Sequence, residues 1–200
     1  MTLPLEAVIA DGVALYDATE RVRREYPRKR SAKGVRPKGQ RIDAVFVHHS
    51  GSLGRAGLDG ALGAVRFVMT QKPPDERFPG PPYHLWLPHL PVRDDEGRLV
   101  IYRLCEDSYR AWHTGDVAND RGVGVCLQGK LTKTGPSEAQ VEALEALLPW
   151  LSERHGLPWG NVASWLGWHA IGSHWGGRDK PTCPGKPTEA WLTEYIARTR

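Results

Sequence analysis

The sequence has few cysteines and no long apolar segment, and both absences exclude classes of protein. Its 200 residues include three cysteines, Cys105, Cys126 and Cys183, which cannot all pair with one another. This argues against a disulfide framework and leaves at least one thiol that is free, buried or bound to a metal. No C-x-x-C pair is present, which argues against a zinc finger. No apolar run approaches the roughly 20 residues of a membrane-spanning helix.

The N-terminal residues lack the features of a secretory signal. The stretch MTLPLEAVIADGVALYD has no basic residues ahead of its apolar ones, and Glu6 and Asp11 come early. We therefore expect a protein that is cytoplasmic as synthesised and has no transmembrane segment.

The composition is that of an ordinary globular protein with an excess of positive charge. Apolar residues make up 40% of the chain, charged residues 25%, and the formal net charge is +4. Such a chain attracts polyanions, including nucleic acids, anionic lipids and acidic cell-wall polymers. A nucleic-acid surface would need basic residues interleaved with aromatic ones, whereas the basic residues here concentrate in PRKRSAKGVRPKGQR. We therefore expect no nucleic-acid partner.

Periodicity and turn residues predict one mixed α/β domain behind an N-terminal extension. We interpret residues 1–40 as a helix and a flexible basic linker outside the core, and residues 41–200 as a domain with a central β-sheet flanked by helices. The predicted strands are IDAVFVHHS, PPYHLWLP, GVGVCLQGKL and NVASWLGWH. The predicted helices are GLDGALGAVRFVMTQ, PSEAQVEALEALLPWLSERHG and PTEAWLTEYIARTR.

Capping residues set the predicted bounds of two helices. Ser137 and Gln140 have the spacing of a capping box, and Gly156 is placed to end the same helix. Thr188 is the predicted N-cap of the last helix.

Two histidines stand where strands are predicted to end, His48 after AVFV and His169 after SWLGW. Loops converge at strand ends of an open sheet, so ligand crevices form there. Catalytic zinc takes three nitrogen or sulfur ligands and keeps one position for water. Together with Cys183, in the polar turn KPTCPG, the two histidines would provide such a set, although spacing alone does not bring them together.

Five segments, in order, resemble the zinc-dependent N-acetylmuramoyl-L-alanine amidases, a family that includes phage lysozyme-amidases and peptidoglycan recognition proteins. The resemblance covers roughly residues 42–191 and is carried by VFVHHSG, PPYHLWLP, AWHTGDVANDRGVGVCLQG, SEAQVEALEALLPWL and WHAIGSHWGGRDKPTCPG. It implies the mixed α/β fold of that family, a Zn²⁺ cofactor and peptidoglycan as substrate.

The resemblance also implies roles for individual residues. His48 matches the first zinc ligand and Cys183 the last, while the middle ligand is His169 or, at a spacing closer to the shortest members, His174. His49 is expected to turn away from the metal or to support it. The resemblance further implies catalytic roles for Tyr83 and for Lys180, with Arg178 as the substitute for Lys180, and substrate contacts for His113 and Asn119.

One departure concerns the base that some bacterial relatives are proposed to use. They carry a glutamate in the strand equivalent to GVGVCLQG, where this chain has Cys126. The resemblance is therefore to the members that use tyrosine and lysine.

The function expected from this resemblance is that of an endolysin-like amidase, from a phage, a prophage or a bacterium. It would cleave the amide between N-acetylmuramic acid and L-alanine after release to the cell wall, as a monomer. The basic N-terminal arm would bind anionic cell-wall polymers. The alternative is a non-catalytic peptidoglycan-binding module, and the retained Cys183 argues against it.

Overall fold

A seven-stranded mixed sheet organises the part of the chain that the computed structural model describes, residues 3–27, 36, 40–113, 118–158, 162–164 and 183–199. The strand order is β1-β2-β5-β4-β6-β3-β7. The strands are β1 (Leu5–Ala10), β2 (Val13–Asp17), β3 (Ala44–His49), β4 (Leu85–Leu87), β5 (Leu99–Arg103), β6 (Gly122–Leu127) and β7 (Val162–Ser164). This confirms the predicted mixed α/β class.

Helices accompany this sheet within the described ranges. They are α1 (Thr19–Glu25), α2 (Gly57–Arg66), α3 (Ala118–Arg121), α4 (Glu138–His155) and α5 (Lys186–Arg198), and α2 continues into a π-helical turn at Phe67–Gln71. Among these residues, no helix combines the length and the hydropathy needed to cross a lipid bilayer.

Strand β3 lies inside the sheet, next to the edge strand β7, and pairs in parallel with β6 on one side and β7 on the other. Its residues Val45, Phe46 and Val47 are fully buried, because an interior parallel strand of an α/β sheet is covered on both faces. Helix α4 contributes Leu144, Leu147, Leu148 and Leu151 to one core cluster. Ala61, Leu62 and Val65 of α2 belong to another, with Trp86.

The predicted caps are confirmed for α4 and wrong for α5. The Ser137 side chain accepts the Gln140 N–H and the Gln140 side chain accepts the Ser137 N–H, while Gly156 ends the helix at a φ of 60°. Helix α5 begins before Thr188, with Gly185 as its N-cap. Proline is favourable in the first helical turn, so Lys186-Pro187 already belongs to the helix and Thr188 lies inside it.

The predicted helix in the first segment is wrong for residues 5–17, which form the antiparallel hairpin of β1 and β2. Strand β2 pairs in parallel with β5, and Val13 and Leu15 lie in the core at 1% and 0% exposure. The apolar residues of this short segment fit strand and helix periodicity almost equally, and pairing with β5 favours the strand. Asp11-Gly12 is the turn, where Gly12 has a φ of 86°.

Most of the predicted basic linker, residues 28–35 and 37–39, lies outside the described residues. Arg36, however, is 7% exposed, so the prediction of a flexible linker outside the core is wrong for this residue. A buried guanidinium needs hydrogen-bond acceptors, and Arg36 has them in the core.

Candidate metal centre and active site

His48 and Cys183 come together at the carboxyl end of β3, although 135 residues separate them in sequence. His48 is 2% exposed, and its Nδ1 lies 3.6 Å from the Cys183 Sγ. The backbone N–H of His49 donates to the same sulfur at 3.2 Å, which holds Cys183 at the end of the strand. Two of the three predicted zinc ligands are therefore adjacent.

The separation of these two atoms fits a shared zinc ion. Zinc lies about 2.0–2.1 Å from a histidine nitrogen and about 2.3 Å from a cysteine sulfur, so at a tetrahedral angle the two ligand atoms are about 3.6 Å apart. Within the described ranges, no third metal-binding side chain joins the pair. His169 and His174, the candidates for the middle position, lie outside those ranges.

The buried thiol of Cys183 would change its ionisation if a cation were bound to it. Burial raises the pKa of the Cys183 thiol to about 12, opposed by the hydrogen bond from the His49 backbone. A bound divalent cation stabilises the thiolate directly and reverses that effect. The chemistry of the donor pair therefore fits zinc.

His49 points away from this pair. Its Nδ1 accepts the backbone N–H of Leu131 at 3.0 Å. Burial, and then the nearby charge of Lys130, lower the pKa of His49, so the ring is neutral at pH 7. This arrangement agrees with the expectation that His49 supports the site from its side.

Tyr83 lies beside the candidate metal ligands, just ahead of β4. Its ring centroid is 5.5 Å from that of His48. Burial is the first cause that raises the pKa of Tyr83 well above 10, and the neighbouring sulfurs of Cys126 and Cys183 add to it. The phenol therefore keeps its proton at neutral pH and acts as a hydrogen-bond donor.

Cys126 belongs to the apolar cluster against which Tyr83 packs, at the position where the resemblance places a glutamate in some relatives. It is fully buried on β6, and burial raises the pKa of its thiol well above 9. A neutral thiol at this position does not replace a carboxylate base.

A cleft of about 830 Å³ opens next to Tyr83. Its walls come from α1, from the loop between β3 and α2, and from α2 itself, and its apolar lining includes Trp86. Arg21, Arg55 and Arg66 also line it, together with the carboxylates of Glu25 and Asp59. The cleft has the volume of a ligand-binding pocket and presents both charges to a ligand.

His113 reaches His48 from the opposite side of the ring. The His48 Nε2 lies 3.1 Å from the His113 Nδ1, and the two rings are nearly perpendicular at a centroid distance of 5.1 Å. Asn119 is 1% exposed, and its Oδ1 accepts the backbone N–H of His113 at 3.0 Å. The substrate contacts expected of His113 and Asn119 stay predictions, because the contacts seen here are with the chain itself.

Two residues next to this site, His84 and Arg36, were not predicted from the sequence as site residues. His84 is fully buried, and its ring lies 5.7 Å from that of His113. The Arg36 guanidinium donates to the backbone oxygens of Asp107, Asn119 and Gly122, with distances of 2.6, 3.0 and 2.7 Å. The signal for His84 was a histidine inside the apolar segment PPYHLWLP; nothing local distinguishes Arg36 from its basic neighbours.

His84 is held in its neutral form. Its Nδ1 accepts the Gly124 N–H at 2.9 Å, and its Nε2 lies 3.1 Å from the Tyr109 oxygen and 2.9 Å from the Arg36 guanidinium. Burial, followed by the positive charge of Arg36, lowers the pKa of His84 to about 3. A second proton would place a donor on Nδ1 directly opposite the Gly124 donor.

The predicted catalytic cation, Lys180 or Arg178, lies outside the described residues. Of the site residues named from the sequence, the structure brings together His48, Cys183, Tyr83, His113 and Asn119.

Comparisons with known proteins agree with this geometry. A family model described as N-acetylmuramoyl-L-alanine amidase matches residues 38–186, which include His48, Tyr83 and Cys183. No curated protein sequence matches the chain at a significant level.

Several solved structures share the fold at low identity. Drosophila peptidoglycan recognition protein SD is 15% identical with a TM-score of 0.61, and the match covers 91% of this chain and 94% of that one. Drosophila peptidoglycan recognition protein SA is 17% identical with a TM-score of 0.60, covering 91% of each chain. The N-acetylmuramoyl-L-alanine amidase LysC from Clostridium intestinale is 16% identical with a TM-score of 0.53, covering 84% of this chain and 93% of that one.

Proposed function

Since this chain belongs to the N-acetylmuramoyl-L-alanine amidase family, we propose that it is a zinc-dependent enzyme that hydrolyses the amide between N-acetylmuramic acid and L-alanine in peptidoglycan. The observation that carries the proposal is the 3.6 Å separation of the His48 Nδ1 and the Cys183 Sγ beside Tyr83. A chain kept only for recognition has no need of a sulfur and a nitrogen at the spacing of zinc ligands.

In this proposal His48 and Cys183 hold the metal with His169 as the third ligand, and His174 is the alternative. When bound, zinc supplies Lewis-acid polarisation of the scissile carbonyl and lowers the pKa of a water. Cys183, as thiolate, offsets part of the positive charge of the ion. The sheet keeps His48 on β3 rigid, so this ligand needs little reorganisation when substrate arrives.

Tyr83 acts as a donor in the proposed reaction. Its hydroxyl lies beside the candidate ligands and would donate a hydrogen bond to the oxygen on which negative charge develops. Lys180, or Arg178 in its place, supplies a positive charge to the same oxygen. The cleft beside Tyr83 binds the substrate, and its arginines suit the carboxylates of a stem peptide.

The proposed setting is endolysin-like. The protein is made in the cytoplasm, acts as a monomer and reaches peptidoglycan after release, and the basic residues before β3 add affinity for anionic wall polymers. The alternative function is non-catalytic peptidoglycan binding. It is supported by the fold shared with the two Drosophila recognition proteins, and it makes no use of the Cys183 sulfur.

Digestion of purified sacculi tests the proposal. We expect about one zinc per chain and release of free stem peptides with an L-alanine amino terminus, detected by mass spectrometry. A chelator should stop the release and added zinc should restore it. Binding of sacculi with no peptide released from the zinc-loaded protein would establish the recognition function, and undiminished release by metal-free protein would exclude zinc catalysis.

The contribution of Tyr83 is tested in the same assay. Tyr83→Phe removes the hydroxyl and keeps the ring, so we expect kcat to fall by about 10²-fold while zinc content stays the same. Tyr195→Phe is the matched control, because the Tyr195 hydroxyl donates to the backbone oxygen of Glu145 and lies on α5. Equal activity of the two variants would remove Tyr83 from the reaction.

A further inference from the structure

The His113 ring lies between the candidate metal ligand and the protein interior, and its position is set from several sides. Its centroid is 5.1 Å from that of His48, 5.6 Å from Phe46 and 5.7 Å from His84. Its backbone N–H is held by the Asn119 Oδ1 at 3.0 Å. A ring enclosed in this way has little freedom to turn.

Gly124 provides the space that the His113 ring occupies. A Cβ atom at position 124 would lie 2.7 Å from both Cγ and Cδ2 of His113, closer than real Cβ contacts come. Any other residue there would therefore displace the ring. The next strand residue on the same face, Cys126, contacts Tyr83, so β6 supports both Tyr83 and His113.

The contact between His48 and His113 joins one donor to one acceptor. With 3.1 Å between the His48 Nε2 and the His113 Nδ1, a single proton lies between them. If that proton belongs to His48, its Nδ1 carries the lone pair and faces the Cys183 Sγ at 3.6 Å. If it belongs to His113, the Nδ1 of His48 carries a hydrogen and binds no metal.

The positions of the His48 ring atoms favour the first arrangement. The Nδ1 of His48 faces the Cys183 Sγ, so a metal shared by the two side chains needs the lone pair of His48 on that nitrogen. The single proton of a neutral His48 ring is then on Nε2. The His113 Nδ1, 3.1 Å away, is the atom placed to accept it.

We propose that His113 is a positioning residue that fixes the tautomer of His48, accepting the Nε2 proton so that Nδ1 presents its lone pair beside Cys183. Asn119, whose backbone oxygen accepts a hydrogen bond from Arg36, holds the His113 backbone in place for this. The inference rests on the proposed function only in taking His48 as a metal ligand. Partners of this kind orient metal-binding histidines, and their loss weakens metal binding by about 10- to 100-fold.

Three substitutions distinguish the loss of the hydrogen-bond acceptor at position 113 from a displacement of the ring. His113→Leu removes the acceptor, whereas His113→Asn retains an oxygen at the place of Nδ1. Gly124→Ala leaves His113 unchanged in chemistry but displaces its ring. Gly63→Ala is the matched control for the added methyl group, since a Cβ there meets nothing within 4 Å.

The first readout needs neither zinc nor substrate. In metal-free wild type, the ¹⁵N chemical shifts of the His48 ring should show the proton on Nε2, and in His113→Leu they should show a mixture of tautomers. His113→Asn should keep the wild-type tautomer. A proton on Nδ1 of His48 in wild type, or an unchanged tautomer in His113→Leu, would overturn the proposal.

The second readout is the zinc dissociation constant, measured by competition with a chromophoric chelator. We expect it to rise by about 10- to 100-fold in His113→Leu and Gly124→Ala, to recover largely in His113→Asn and to be unchanged in Gly63→Ala. Thermal unfolding identifies any variant that does not fold. If His113→Leu does not fold, the zinc dissociation constants of Gly124→Ala and His113→Asn decide whether His113 positions His48. Wild-type zinc affinity in folded Gly124→Ala would contradict the proposal. Wild type that binds no zinc would refute the proposed function, and the tautomer readout would still decide the role of His113.

Discussion

The burial of His84 predicts how the stability of this protein depends on pH. In the folded state the pKa of His84 is lowered to about 3, first by burial and then by the charge of Arg36, whereas an unfolded histidine has a pKa of about 6.5. Below pH 6.5 the unfolded chain therefore binds a proton that the folded chain does not. The stabilising effect is complete above pH 6.5 and is lost as the pH falls from 6.5 toward 3.

The size of the effect between pH 7 and pH 5 follows from the unfolded state alone. At pH 5 the unfolded imidazole is protonated by about 30 to 1, and the logarithm of that ratio is worth about 2 kcal/mol. Any folded-state pKa below about 4 gives the same result, because the folded ring then stays neutral over this range. We expect the free energy of unfolding to fall by about 2 kcal/mol through His84.

Urea unfolding of metal-free protein at several pH values measures this directly, and the absence of zinc removes its own pH dependence. In His84→Gln the fall in the free energy of unfolding between pH 6 and pH 5 should be smaller than in wild type by about 1.2 kcal/mol, because the unfolded variant no longer binds this proton. Tyr195→Phe is the control, because it removes a hydrogen bond and adds no titration in this range. Equal slopes for wild type and His84→Gln would refute the reasoning, since His84 would then titrate alike in both states.

Other predictions follow from the ligand pair and from the buried arginine. Cys183→Ser should lose zinc and reduce amidase activity at least 100-fold, whereas Cys183→Asp, which keeps an anionic ligand, should retain part of the zinc and part of the activity. Metal analysis measures the zinc content, and stem-peptide release measures the activity. Zinc retained in full by Cys183→Ser would remove Cys183 from the ligand set. Arg36→Met should destabilise the protein by about 2–4 kcal/mol in urea unfolding, because three backbone oxygens lose their donors, and Arg21→Met on α1 should cost less than about 1 kcal/mol. An Arg36→Met variant as stable as Arg21→Met would show that the buried contacts contribute little.

Much of the fold was predictable because its signals are local. The apolar segment AVFVHH becomes the buried strand β3, and α4 has the bounds that its capping box and Gly156 indicate. The first segment was predicted wrongly, because a few apolar residues are compatible with helix and strand and the choice depends on β5, more than eighty residues away. Thr188 was misassigned as a cap because the proline before it was not recognised as a helical position.

The candidate site was predictable only as separate residues. His48 and Cys183 could be named from their motifs, and the family match covers both. That His48 also contacts His113, and that His84 and Arg36 lie behind it, could not be read from sequence spacing. These contacts join residues 48 to 86 positions apart, from different strands and loops.

By itself the sequence determined which residues can do chemistry here: the imidazoles, the one thiol in a polar turn and the tyrosine ahead of an apolar strand. The tertiary structure alone decided which of them meet, which proton positions they adopt and which ionisations burial suppresses. The physical reason is that strand periodicity and capping act over a few residues. Hydrogen bonding and desolvation, in contrast, depend on atoms that only the folded chain brings together.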